Sequence, residues 1–224
     1  VGPSSSHTMG PMVAGARFLD LLRASPFHFH GLKASLHGSL AFTGVGHATD
    51  RATNLGLAGF EPASYDAAKA EATLAAIRET KTITAPGLLP LAFDPQADLL
   101  FDYGPALPGH ANGMILKATD AEGDVILEET YYSIGGGFVL TAAELAAGES
   151  AKAATPVPYP FETAAQMLEM AAKSGLSIAE MKRANELVFR SKAELEAGLA
   201  RIWEVMDNCI ERGMAVDGIL PGGL

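Results

Sequence analysis

The sequence is poor in the residues that make cross-links and in those that hold polyanions. Its single cysteine, Cys209, rules out an internal disulfide. Basic residues are the minority, 16 Lys and Arg against 26 Asp and Glu, giving a net charge of −10. Such a surface repels phosphate backbones and anionic headgroups, so nucleic acid and membranes are poor partners and a small molecule is the better fit. No run approaches the roughly 20 apolar residues that a membrane span requires. The opening Val1-Gly2-Pro3 has none of the charged-then-apolar layout of a secretion signal, and with one cysteine the expected home is a reducing cytoplasm. Internal repeats and low-complexity tracts are also missing. What is present is apolar material, 48% of 224 residues, enough to bury the core of one or two domains.

The residues fall into two regions of different character. In the first, Met12, Ala16, Leu19 and Leu22 recur at helical spacing behind Pro11, which suits a first turn, so a helix is expected over residues 11–22. Leu32, Ala34 and Leu36 alternate with Lys33, Ser35 and His37, the pattern of a half-buried strand. Helices are expected over 51–58, with Asp50 as N-cap, and over 66–79. Short strands are expected near 81–84 and 99–103, and a hairpin over 114–119 and 125–134 turns at Gly123. Pro156, Pro158 and Pro160 punctuate a segment of small residues, which keeps a connector extended. Beyond it, Ser177 with Glu180 and Ser191 with Glu194 read as capping boxes, Gly175 as a helix end and Gly213 as the end of the last helix. The expected organisation is an α/β (α+β) domain with a mixed sheet over 1–150, a Pro-rich linker over 151–160, and an all-α segment over 161–224.

Three polar segments are candidates for chemistry. Ser4-Ser5-Ser6-His7-Thr8 precedes the first helix, where free backbone N–H groups and the helix dipole favour an anion such as a carboxylate. A histidine beside hydroxyls takes or gives a proton near neutral pH, although serines at a helix start are also ordinary caps. Gly44-Val45-Gly46-His47-Ala48-Thr49-Asp50 lets the backbone turn sharply ahead of a helix, but no third glycine completes a dinucleotide fingerprint. Tyr131-Tyr132-Ser133-Ile134 ends in Gly135-Gly136-Gly137, a tight bend or a ligand-facing backbone. His110 and Asn112 sit in a turn that Asn112-Gly113 explains by itself. The six histidines are scattered, His28 and His30 around Phe29 included, and lack the thiolate or carboxylate partners of a closed site, so no metal site is expected in this chain.

Taken together and in order, these segments resemble the bacterial iron-sulfur L-serine dehydratases. The matching residues are Gly2-Pro3-Ser4-Ser5-Ser6-His7-Thr8-Met9-Gly10-Pro11-Met12, His37-Gly38-Ser39-Leu40, Thr43 to Asp50, Tyr131 to Phe138, Val157-Pro158-Tyr159-Pro160-Phe161 and Asn185-Glu186. Matches continue to Gly218-Ile219-Leu220-Pro221-Gly222 and so span essentially the whole chain. The resemblance implies a pyridoxal-independent lyase that turns L-serine into pyruvate and ammonia, with a 4Fe-4S cluster as Lewis acid and a protein base for the Cα proton. It assigns His47 as the base with His7 next, and Ser4, Ser5, Ser6 and Thr8 as substrate-facing groups. Asn185 and Glu186 are further substrate-binding candidates.

One departure is large. The family holds its cluster with cysteines downstream of every segment matched here, and Cys209 sits in a predicted helix, where it reads as a buried small hydrophobe. The cluster ligands are therefore expected outside this chain. With no segment before Val1 and an end at Leu224, the sequence reads as a fragment or one chain of a split enzyme, inactive alone and paired with the remaining catalytic domain or a second chain, the family habit being a homodimer. A competing reading comes from the same resemblance. The N-terminal domain also resembles the allosteric substrate-binding domain of some phosphoglycerate dehydrogenases, in which case His110 and Asn112, or the Ser4 to Thr8 loop, would be ligands for a serine or anion effector.

Overall fold

A computed structural model describes residues 4–148 and 156–218. They fall in two compact units, 4–148 in the first and 156–218 in the second. Half of the expected connector, residues 151–155, lies outside the described residues.

In the first unit, a π-helical turn over Ser5–Met9 runs straight into helix α1, Gly10–Ala24. Strand β1, Gly31–Gly38, follows, then the short helix α2, Ser39–Phe42, and helix α3, Thr49–Leu57. Helix α4, Ala67–Thr80, is capped by the Asp66 carboxylate, which accepts from the Lys69 N–H. Strands β2 (Thr82–Ile83), β3 (Leu91–Ala92), β4 (Leu99–Asp102), β5 (Asn112–Thr119), β6 (Val125–Gly135) and β7 (Phe138–Thr141) complete the sheet, and helix α5, Ala142–Ala146, closes the unit.

The result is an α+β fold. Among the described residues seven strands form one mixed sheet in the order β2-β3-β1-β5-β6-β7, with β4 also on β1. All eight residues of β1 pair antiparallel with β5, while Ala34–His37 pair parallel with β4 and Gly31 with β3. Leu32, Ala34 and Leu36 join Phe18, Leu19 and Leu22 of α1 and Met114 and Leu116 of β5 in the main core. Lys33, Ser35 and His37 take the opposite face, as the alternation requires. His37 is nevertheless buried there, its Nε2 2.8 Å from Ser35 Oγ and its Nδ1 3.6 Å from Asp102.

α1 and α3 cross with their backbones in contact. A Cβ on Gly15 would meet Gly56 C and Leu57 N at 2.7 Å, and one on Gly56 would meet the Met12 carbonyl oxygen at 2.3 Å, so both positions require glycine. This crossing sets the distance between what precedes α1 and what precedes α3, namely the two candidate loops.

The second unit contains no strand among its described residues. Helices α6 (Ala164–Ser174), α7 (Ile178–Glu186) and α8 (Lys192–Ala215) each begin with a capping box, at Thr163 with Gln166, Ser177 with Glu180 and Ser191 with Glu194. Gly175 ends α6 in the left-handed conformation. Two expectations are corrected. Gly213 does not end the last helix, which continues to Ala215, because the glycine takes no left-handed turn. Cys209 is exposed rather than buried, on a helix whose single buried residue is Leu195. No helix among the described residues is long and apolar enough to cross a membrane.

Candidate active site

The serine-rich segment is helical, not a loop. The Ser4 hydroxyl accepts from the His7 N–H at 3.2 Å, and the Ser4 carbonyl accepts from the N–H groups of Thr8 and Met9 at 3.1 Å. The first turn of the helix thus begins at Ser5, several residues before α1 proper. π-Type turns of this kind recur at functional sites, because the extra residue re-aims neighbouring side chains.

That turn aims His7 at the end of β1. Its Nε2 lies 2.9 Å from Ser39 Oγ and its Nδ1 2.9 Å from Ser6 Oγ. A neutral imidazole has one N–H and one lone pair, so one serine accepts from the ring and the other donates to it. Burial, foremost, and the neighbouring His47 hold His7 below its ordinary pKa, against a smaller upward pull from its hydrogen bond to Ser39. His7 is therefore neutral at pH 7.

His47 arrives from a turn that the glycine motif builds. Gly44 offers its carbonyl to the N–H groups of both His47 and Thr49, at 3.2 and 2.9 Å. A Cβ on Gly44 would lie 2.1 Å from the Leu40 carbonyl oxygen and 2.8 Å from the Phe101 ring, so this glycine serves packing; Gly46 is open. The expected N-cap of α3 is wrong by two residues. Ala48, at φ 53° and ψ 38°, occupies the cap, and Asp50 lies inside the first turn. A left-handed alanine costs about 1 kcal/mol and persists only where surrounding contacts fix it.

The two histidine rings meet with centroids 4.9 Å apart and planes inclined by 49°. Two threonines lock the loops to each other. Thr8 Oγ1 donates to the His47 carbonyl at 2.8 Å, and Thr49 Oγ1 donates to the His7 carbonyl at 2.7 Å. The His47 Nδ1 is buried and has no hydrogen-bond partner among the described residues. A buried polar atom left without a partner costs about 1–3 kcal/mol, so this nitrogen is held in place by the contacts around it.

The structure thus brings together His7, His47, Ser4, Ser6 and Thr8. Thr8 is buried with both its hydroxyl contacts committed, to Ser4 N–H and His47 O, so it holds the site rather than faces it. Ser5 is exposed. Sequence reasoning missed Ser39 and Thr49 as site residues. Ser39 has a signal in retrospect, a serine directly after the glycine that ends a strand. Ser133 was also missed: its Oγ is buried without a partner and packs against Gly10, where a Cβ would approach to 1.9 Å.

His110 and Asn112 lie at the start of β5 and serve its turn. His110 Nδ1 accepts from the Asn112 N–H at 3.1 Å, and Asn112 Nδ2 donates to the Ser133 carbonyl at 3.0 Å. In the second unit, the buried Asn185 clamps a backbone, accepting from the Tyr159 N–H at 2.9 Å and donating to its carbonyl at 2.8 Å. Glu186 pairs with Arg190 at 3.2 Å. The three glycines at 135–137 form the β6–β7 turn, all with positive φ. Among the described residues no group of three His, Cys, Asp or Glu side chains is placed to hold a metal ion.

Fold and site define a class: an α+β domain that presents a histidine–hydroxyl cluster where two helices begin. The profile of the serine dehydratase beta chain family matches residues 1–144, and the chain belongs to that family. Over its full length it is 42% identical to an L-serine dehydratase of Streptomyces coelicolor and 42% identical to the L-serine dehydratase TdcG of Escherichia coli. It is 38% identical to L-serine dehydratase 1 of the same bacterium. The chain spans about half the length of these curated relatives, 50%, 49% and 49%.

Proposed function

We propose that this chain is part of an L-serine ammonia-lyase, and that its first unit supplies the group that removes the substrate's Cα proton. The observation that carries the reading is the pairing of the His7 and His47 rings, centroids 4.9 Å apart, within a cluster of hydroxyls from Ser6, Thr8, Ser39 and Thr49. The names of the relatives support serine as substrate.

In this reading His47 is the base. A neutral imidazole accepts the Cα proton as it leaves, and hydroxide departs from Cβ to give 2-aminoacrylate, which tautomerises and hydrolyses to pyruvate and ammonia. His7, kept neutral, places no positive charge against the imidazolium that forms on His47. Ser4 caps the helix start, and Ser5 and Ser6 follow in its first turn, where the positive end of the helix suits the substrate carboxylate. Ser39 fixes the His7 ring, and Thr8 and Thr49 fix both main chains. Asn185, engaged with Tyr159, contributes to folding of the second unit instead of contacting serine.

The 4Fe-4S cluster of the resembling enzymes does not fit the residues described. A four-iron cluster takes about four thiolates, whereas the chain has Cys209 alone, exposed on α8. We place its ligands outside this chain. The effector-sensing alternative is weaker, because His110 Nδ1 and the Asn112 amide are already engaged in the β5 turn.

The test is kinetic, on an active enzyme that includes this region. His47→Ala should lower kcat and kcat/KM together by about 100- to 10,000-fold, with little change in KM, and should abolish exchange of the Cα deuteron of labelled serine with solvent. His7→Ala should mainly raise KM. Near-normal turnover in His47→Ala, or a dead His7→Ala with unchanged KM, would assign the base to the other loop.

A further inference from the structure

Among the described residues of the second unit only Met181, Asn185 and Leu195 are buried. Its longest element, α8, has 24 residues and a length of about 36 Å, and Leu195 is its single buried residue. Helices in globular proteins owe most of their stability to an apolar face packed on a neighbour. On α8 that face is open.

The face is well defined. Leu199, Ile202, Trp203, Met206, Ile210 and Met214 recur at three- and four-residue spacing, which puts them on one side of the helix in line with Leu195. Their exposure runs from 51% at Leu199 to 81% at Met214. The opposite side carries charges of both signs, Arg201 paired with Glu204 at 2.7 Å and, further on, Glu211 and Arg212. Mixed charge is not the Lys- and Arg-rich pattern of helices that lie on anionic membranes. A stripe that steps by three and four residues instead matches a second helix, whose ridges fit between its side chains. Contiguous apolar surface of this kind marks a site of protein interaction. The curated relatives indicate where the second helix comes from: they match this chain over its whole length yet are about twice as long, 50% and 49% of them being covered.

We propose that the apolar stripe of α8 seats an apolar-faced helix from the other half of an enzyme of that length, so that the helical unit is completed only in the whole enzyme. The inference rests on the reading of this chain as part of an L-serine ammonia-lyase, and it adds which surface takes the remainder.

Trp203 is the only tryptophan of the sequence and stands in the stripe, which gives a direct readout. The experiment is fluorine NMR on the 224-residue chain labelled with 5-fluorotryptophan, titrated with the part of Escherichia coli TdcG that lies outside its match to this chain. Alone, the chain should show the full H2O–D2O shift of an exposed indole, and at a one-to-one ratio that solvent shift should be lost. Met206→Asp should weaken the association by about tenfold or more, whereas Val205→Asp, off the stripe although 50% exposed, should leave it unchanged. Should the TdcG piece fail to fold alone, the two pieces joined as one polypeptide decide: Met206→Asp should lower its unfolding midpoint by about 5 °C or more, and Val205→Asp by much less. A Trp203 already shielded before the partner is added, in a monomer or in a dimer of this chain, overturns the proposal, as do an unchanged fluorine signal at excess partner or equal effects of the two substitutions. Serine turnover by the joined polypeptide, with cluster content checked, separates the two readings. Shielding without turnover would count against the lyase reading alone, and turnover with a midpoint insensitive to Met206→Asp against the docking alone.

Discussion

His7 and His47 face each other with ring centroids 4.9 Å apart, and each one's carbonyl is held by a threonine from the other's loop, Thr49 and Thr8. The reciprocity makes two sequence segments, 39 and 42 residues apart at these contacts, into one structural element.

Thr49→Val should therefore destabilise the first unit by about 1–3 kcal/mol, since it leaves the His7 carbonyl short of its donor in a fully buried position. Thr8→Val should cost a similar amount, and the double variant less than the sum, because both bonds close the same junction. Urea unfolding of the three variants checks this; strict additivity would mean that the two loops are held independently.

Stability should fall with acidity in a defined window. His7 and His37 are both held below the ordinary histidine value, with burial the largest cause for each. The unfolded chain takes up protons near pH 6.5 while the folded one resists, so the unfolded state binds more protons and stability drops as pH falls from about 6.5 towards the lower folded values. Their contribution is fully present above that range. Unfolding midpoints at pH 8.0, 6.5 and 5.5 should decline in order, and His7→Gln should flatten the decline. A flat profile would contradict the burial of both rings.

Two glycine substitutions should behave oppositely. Gly56→Ala drives a methyl into the Met12 carbonyl and should cost about 1–3 kcal/mol or more as α1 and α3 separate. Gly46→Ala meets only the Thr43 carbonyl oxygen, at 3.7 Å, and should stay within about 0.5 kcal/mol of the parent. Thermal unfolding separates the two, and equal effects would deny that the helix crossing is tight.

Cys209, exposed on α8, should react with a thiol-specific disulfide reagent in the native protein about as fast as in urea. A reaction that waits for denaturant would mean that the residue is covered.

The elements that local pattern determines were readable from the chain. The alternation in β1, the Pro11 helix, the hairpin at Gly123 and the capping boxes each follow from a few neighbouring residues, and each forms. β3, with two residues, and β7, with four, are too short to carry a period and exist because long-range pairing supplies their hydrogen bonds. The cap of α3 differs for a related reason: Ala48 stands between the Gly44 turn and Thr49, whose hydroxyl donates to the His7 carbonyl, so a tertiary contact overrides the preference for Asp50. At the site, residue types pointed to the two histidine loops, but the contact between them and the part played by Ser39 depend on the crossing of α1 and α3, which no spacing along the chain encodes.

Ser39 follows directly on β1, the strand bonded along its whole length to β5 on one side and to β3 and β4 on the other. Amides flanked on both sides in this way exchange with solvent only when the fold as a whole opens. Through the 2.9 Å contact between Ser39 and Nε2, His7 is tethered to that slow-opening centre, although its own turn lies outside the sheet. Its orientation should consequently last as long as the sheet does, and loss of the histidine pair should coincide with the opening of β1.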